Sequence, residues 1–339
     1  MGYLMDWNFA TTLIGSLPYS DPKEAVDKIV NGSVDCPSWP QLSGRGYTES
    51  MYLQTGEQLP GLNVEGDKVS VDLDCYDPTE AYMAILEENV DYFRPTEEHN
   101  AGLFELLTHD VSDATAVKGQ VTGAISEGLQ VQDSTGRSVI YDESYSEIVR
   151  KTVNMVAKWQ ARELKKLNEN VIIFFDEPSL SLLGTPFASI SDEDAAKWIN
   201  ESMEGVDCHK AIHCCGNTNW TLILGTDIDI LNFDAYGYGK SITLFPDDVK
   251  AFLERGGTLA WGIVPNNENV EKETAESLAD KLDAYIEDLI AKGVPENLLV
   301  RQSMITPQCG LGGTDVELVD PILALLADVS AEMKRRHVL

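Results

Sequence analysis

Strand-length apolar runs alternate with helix-length amphipathic stretches from one end of the chain to the other, and this alternation constrains the fold more than any other feature. It is the sequence pattern of βα units arranged around a parallel sheet. Strand candidates fall at residues 11–16, 68–73, 116–122, 170–175, 210–213, 230–233, 258–263 and 298–305. Helical stretches follow at 23–30, 78–92, 100–107, 142–167, 192–203, 220–224, 246–255, 274–291 and 316–335. The longest of them shows Val149, Val153, Val156 and Leu164 at helical spacing, and Thr274 is placed to cap another. The 170–175 run is too short and too uniformly apolar for anything but a strand buried on both faces. Eight βα units predict a closed (β/α)8 TIM barrel, an α/β fold. An open doubly wound sheet is the alternative, but no Gly-x-Gly-x-x-Gly follows the first strand. No Pro-, Gly- or Ser-rich linker divides residues 1–339, so one barrel domain is expected rather than the two that length alone suggests.

Composition narrows the partners. Apolar residues at 43% and charged residues at 24% are ordinary globular values, which excludes a disordered chain. The 56 acidic against 25 basic side chains leave a net charge of −31, a field that repels phosphate backbones and anionic lipids. Nucleic acid and membrane are therefore not expected as partners. No apolar run approaches the length of a transmembrane helix, and residues 1–10 carry Asp6 and no basic stretch before an apolar one. The expected location is the cytoplasm. Six cysteines in a long chain of this kind point to thiols, metal ligands or small buried residues rather than a disulfide framework.

In a barrel of this type the reacting groups sit where strands end, so the side chains just beyond each apolar run carry the functional information. They are Gly15 and Ser16, Asp176 and Glu177, His213 and Cys215, Asp234, Asn266 and Asn267, and Gln308 and Cys309. His213, Cys215 and Cys309 are one nitrogen and two sulfur donors of the kind Zn²⁺ prefers. His213 and Cys215 stand two residues apart, so both can point the same way at a strand end. A buried thiol and a hydrogen-bonded imidazole are the plainer alternative for that pair. Cys36, Cys75, Cys208 and Cys214 have no partner pattern and read as packing or incidental.

Six short motifs then occur in order over nearly the whole chain. They are Ile14-Gly15-Ser16-Leu17-Pro18, Gly119-Gln120-Val121-Thr122-Gly123, Phe175-Asp176-Glu177-Pro178, His213-Cys214-Cys215-Gly216-Asn217, Ile230-Leu231-Asn232-Phe233-Asp234 and Pro307-Gln308-Cys309-Gly310-Leu311. With them the chain resembles the superfamily of cobalamin-independent methionine synthase, the corrinoid-dependent thiol methyltransferases and uroporphyrinogen decarboxylase. The length matches only the catalytic barrel of the full methionine synthase. The resemblance implies Zn²⁺ held by His213, Cys215 and Cys309, with Asp234 where the family has a Glu. Being one methylene shorter, Asp234 is either a fourth ligand or a group that tunes the ligands from behind. The resemblance also implies that Gly15, Ser16 and Asp176 hold the amino-acid part of a thiol such as homocysteine, with Glu177 and Asn217 beside them. Asp176 and Asp234 are the implied catalytic carboxylates.

One stretch departs from methionine synthase. Where that family carries an Asp-x-His used in acid–base work, this chain reads Gly262-Ile263-Val264-Pro265-Asn266-Asn267. Without a general acid, protonation of a tetrahydrofolate nitrogen loses its donor, whereas a cobalt-bound methyl needs no proton to leave. The expected activity is zinc-dependent methyl transfer to a small thiol, with a methyl-corrinoid or corrinoid protein as donor. Two alternatives remain. One is a non-enzymatic metal- or thiol-binding barrel, which the missing acid favours. The other is a uroporphyrinogen-decarboxylase-like enzyme, which the absence of Arg and Lys from residues 1–21 disfavours.

Overall fold

The computed structural model describes residues 5–66 and 68–338, so the first four residues of the 1–10 stretch lie outside the described residues. Seven strands form one curled, all-parallel sheet, in the spatial order Ala10–Thr11, Ser303–Pro307, Thr258–Val264, Ile230–Phe233, His209–Cys214, Val171–Asp176 and Val117–Thr122. The eighth position is filled by a stub rather than a full strand. Thr12 bridges to Cys36 and Ser38 bridges to Lys118, both in parallel, which joins the two ends of the curled sheet. The backbone bonds at this seam run from Cys36 N to the Thr11 carbonyl at 2.9 Å and from Lys118 N to the Pro37 carbonyl at 2.9 Å. Pro37 is tolerated because the ladder uses its carbonyl and not the N–H it lacks.

This corrects the sequence expectation for the second strand. Residues 68–73 do contain a strand, Lys68–Val71, but it pairs with Leu62–Glu65 and Gln132–Asp133 in a separate three-stranded sheet. One further expectation shifts. The run starting at residue 298 begins as a helix, Glu296–Arg301, and becomes strand only at Ser303. A helix that the sequence pattern did not mark, Ala124–Gln130, follows directly on the expected strand 116–122. The later helices agree closely with their caps. Ser191 accepts from Asp194 N at the head of Asp192–Met203, and Thr274 and Ser277 form a reciprocal capping box on Ala275–Ala291.

Side-chain alternation separates two cores. Ile172, Phe174, Ala211, Ile230, Ala260 and Met304 pack together with Ala10, Ile14 and Ala116 as one buried cluster, while the intervening residues join the larger cluster shared with the helices. The smaller cluster is the barrel interior. Counting upward by twos from it brings Asp176, His213, Cys215, Asn232, Asp234, Lys118 and Gln120 onto the same inner face. The polar site thus sits directly above a small apolar plug.

Candidate metal centre and adjoining cavity

His213 is the penultimate residue of its strand, and Cys215 follows just beyond the strand end. His213 Nε2 lies 3.0 Å from Cys215 Sγ and 3.8 Å from Cys309 Sγ, and the two sulfurs are 3.0 Å apart. Among the described residues these three form the group of His, Cys, Asp and Glu side chains close enough together to share a metal ion. A tetrahedral Zn²⁺ with bonds of about 2.0–2.3 Å separates its ligand atoms by about 3.5–3.8 Å, so the triangle needs only a small outward relaxation. The donor chemistry and the spacing therefore fit zinc. The two thiols lie within hydrogen-bond distance of each other. The hydrogen bond between them holds Cys309 well below the ordinary thiol range, and the same contact, with burial, pushes Cys215 up.

The imidazole is set by a residue that the sequence reading gave no role. His213 Nδ1 is 2.5 Å from Asn232 Oδ1, and Asn232 Nδ2 donates to the Ala260 carbonyl at 2.9 Å and to Thr306 Oγ1 at 2.8 Å. With the amide nitrogen committed to two acceptors, its oxygen must face the ring, so Nδ1 carries the proton and Nε2 keeps its lone pair toward the sulfurs. The signal was a lone Asn in the otherwise apolar strand Ile230–Phe233, since a fully buried amide needs partners.

Asp234 does not join the triangle. Its side chain accepts from Gly237 N at 2.6 Å and caps the helix Ala235–Ile242, and burial raises its carboxyl above the usual range. The Asn266 and Asn267 loop is structural in kind: Asn266 Nδ2 holds the Gly310 carbonyl at 2.9 Å, next to Cys309, and Asn267 caps a short 3-10 helix.

Beside the three donors lies a cavity of about 200 Å³. Gly15, Ser16 and Asp176 line it, and Gln120 and Thr122 add to the wall. Gln41, Met51, Gln54 and Thr55 close it from the irregular stretch after the barrel seam, where no periodicity marked them. Asp176 Oδ1 is buried and has no hydrogen-bond partner, and burial raises its carboxyl above the usual range. Ser16 Oγ accepts from Gly312 N at 3.1 Å, tying the Cys309 loop to the Gly15–Ser16 turn. Glu177 and Asn217 do not line the cavity. Glu177 is buried and accepts from Ile125 N, Ser126 N and Ser126 Oγ at 2.7–3.0 Å, while Asn217 is exposed. Cys214 faces away into the outer core; Cys36 and Cys208 are also buried and Cys75 is exposed.

Comparison with solved structures gives matches over almost the entire chain. A B12-independent methionine synthase from Shewanella sp. W3-18-1, in complex with selenomethionine, superposes with a TM-score of 0.61 at 15% identity, covering 97% of this chain and 99% of that one. A Listeria monocytogenes protein described as a vitamin-B12-independent methionine synthase gives 0.59 at 15%, covering 97% and 98%. A methyltransferase from Methanosarcina mazei gives 0.58 at 11%, covering 97% and 94%. The chain shares the fold of these TIM-barrel proteins. No family profile matches the sequence, and no curated protein sequence matches it. No helix among the described residues is long and apolar enough to cross a membrane.

Proposed function

We propose that residues 1–339 act as one catalytic domain that transfers a methyl group to a small thiol activated by zinc. The observation that carries this reading is the His213, Cys215 and Cys309 triangle opening onto a cavity whose one buried, unpartnered carboxylate oxygen is that of Asp176. His213, Cys215 and Cys309 would hold the metal, and Asn232 fixes the ring that presents Nε2. Zinc, when bound, supplies the acidity that turns a thiol into a nucleophilic thiolate at neutral pH. Asp176 accepts the ammonium group of the thiol substrate, a charge-assisted contact that satisfies its orphan oxygen. Gly15 lets the Gln120 amide pack directly against the turn, and Ser16 keeps the Cys309 loop in register with that wall. Asp234 supports the site from its helix cap, and Glu177 holds the neighbouring helix start. Homocysteine fits this description, and reduced thiols place the work in the cytoplasm.

The donor is a methyl-corrinoid, free or on a corrinoid protein. Neither Asn266 nor Asn267 can supply the proton that a folate nitrogen needs on leaving, and both are committed to backbone contacts. The test offers zinc-loaded protein homocysteine with methylcobalamin or with methyltetrahydrofolate and measures methionine formed. Turnover with the first and little with the second is expected. Efficient folate-dependent turnover overturns the donor assignment, and thiol binding without turnover from either donor favours the non-enzymatic binding barrel.

A further inference from the structure

Lys118 is a fully buried lysine inside the barrel at the seam where backbone pairing is thinnest. Its ammonium group has three N–H donors and no acceptor, and it meets three electron-rich partners. Nζ donates to the Ile14 carbonyl at 2.6 Å and to Gln120 Oε1 at 3.0 Å, and lies 4.3 Å from the centre of the Phe174 ring. Gln120 in turn donates from Nε2 to the Trp39 carbonyl at 3.1 Å. Its backbone carbonyl accepts from Gln160 Nε2 at 2.9 Å, and Gln160 Oε1 accepts from Trp39 Nε1 at 3.0 Å.

These partners remove the usual ambiguity of an amide. A group that only donates faces the oxygen and a group that only accepts faces the nitrogen, so the Gln120 amide has one orientation. A primary amide nitrogen carries two N–H bonds, and the Trp39 carbonyl takes one. Gln120 lines the cavity, with its amide packed so closely on Gly15 that a Cβ there would fall 2.7 Å from Gln120 Nε2. No Lys or Arg lines that cavity, and Lys118 is engaged below it.

Building on the proposed thiol acceptor, we infer that Gln120 is a specificity-determining donor that reads an oxygen-bearing tail on the substrate, and that Lys118 is the positioning residue that aims it. Among the polar groups of the wall are an unpartnered acceptor, Asp176 Oδ1, and a donor, the second N–H of Gln120 Nε2. That pair matches a thiol carrying both an ammonium and a carboxylate, and it discriminates against an amine thiol lacking the carboxylate.

The experiment is calorimetric titration of the zinc-loaded protein with homocysteine and with 3-aminopropane-1-thiol, its counterpart without the carboxylate. Wild type should favour homocysteine by roughly tenfold or more, the value of one hydrogen bond to a charged group. Gln120→Leu should lose that preference while binding 3-aminopropane-1-thiol as before. Lys118→Met should behave likewise, because the amide is no longer held. Gln120→Glu keeps a partner for Lys118 while removing the donor, so it separates loss of recognition from loss of folding, and it too should lose the preference. Retention of the full preference in Gln120→Glu or Gln120→Leu, or equal weakening of both thiols, overturns the inference while leaving the acceptor reading standing. A wild type that binds neither thiol overturns the acceptor reading and this inference with it.

Discussion

Replacing Asn232 by Leu tests whether the site is built from behind the ligands as the geometry indicates. The side chains share the same branching and number of heavy atoms, so the change removes hydrogen bonds while keeping the shape. Asn232 is fully buried and makes three contacts, to His213 Nδ1, the Ala260 carbonyl and Thr306 Oγ1. Thr306 keeps its bond to the Pro307 carbonyl at 2.8 Å and the Ala260 carbonyl keeps its place in the ladder with Ile230–Phe233, so Leu leaves one group stranded, the imidazole N–H. At about 1–3 kcal/mol for a buried group left unpaired, the metal-free protein should lose about 1–3 kcal/mol. Metal affinity should fall about 10–100-fold through loss of ring orientation and basicity, which corresponds to about 1.4–2.7 kcal/mol. Competition with a chromogenic chelator measures the second effect, and urea unfolding of the metal-free protein measures the first. Asn232→Asp keeps an acceptor toward Nδ1 but sets a carboxylate against the Ala260 carbonyl, so it should hold zinc and still lose stability. A folded Asn232→Leu protein that binds zinc within twofold of wild type would refute the reasoning.

His213→Ala, Cys215→Ser and Cys309→Ser should each lower zinc affinity sharply, because losing one of three donors opens the site, whereas Cys214→Ser should bind about one zinc per chain like wild type. Metal analysis after dialysis checks this, and equal loss from Cys214→Ser would sink the ligand assignment. Glu127 is buried with both carboxylate oxygens unpartnered, and burial, then the nearby Glu177, raises its pKa well above the carboxylate range. Because the folded state holds that proton longer than the unfolded state, stability should fall as pH rises above about 4.3 and keep falling until the folded group ionises. Glu127→Gln should flatten that decline, as read from Tm between pH 5 and 8 to within a few degrees; an unchanged slope would assign the decline to Glu177, which burial pushes up to about 7.

The three candidate donors were legible because two independent regularities met on them. Apolar runs located the strand ends, and soft donors at two of those ends identified themselves by chemistry. Asp234 satisfied the first regularity as well, yet its position at a helix start commits its oxygen to Gly237 N. A carboxylate just before Ala-x-Gly is as good a cap as it is a ligand, and only the backbone path decides between them. The second strand was misplaced for a related reason. Residues 68–71 carry the alternating, β-branched pattern that periodicity detects, whereas the Cys36 to Ser38 stub is two bridges long, contains Pro37 and is soon followed by Pro40. A strand that short leaves no period to read.

That thin seam also explains why the cavity wall was hidden from the sequence. Where neighbouring strands pair over five or six residues, the backbone ladder itself holds the register, as between Val117–Thr122 and Val171–Asp176. At the seam the ladder contributes single bridges, and side chains complete the job: Lys118 to the Ile14 carbonyl, Gln120 to the Trp39 carbonyl, and Trp39 Nε1 to Gln160. A buried ammonium is costly unless its donors are met, so such a lysine persists only where its partners are fixed in place. Here those partners are the backbone just before Gly15 and the amide facing it. The group that closes the barrel therefore also sets part of the wall of the cavity that His213, Cys215 and Cys309 line, which couples barrel closure to the shape of the cavity. The coupling predicts an order of effects along the seam. Changes at Lys118 should reach thiol recognition before they reach zinc, because His213 and Cys215 hang from a strand with full ladders on both sides, and Cys309 follows one laddered to Thr258–Val264.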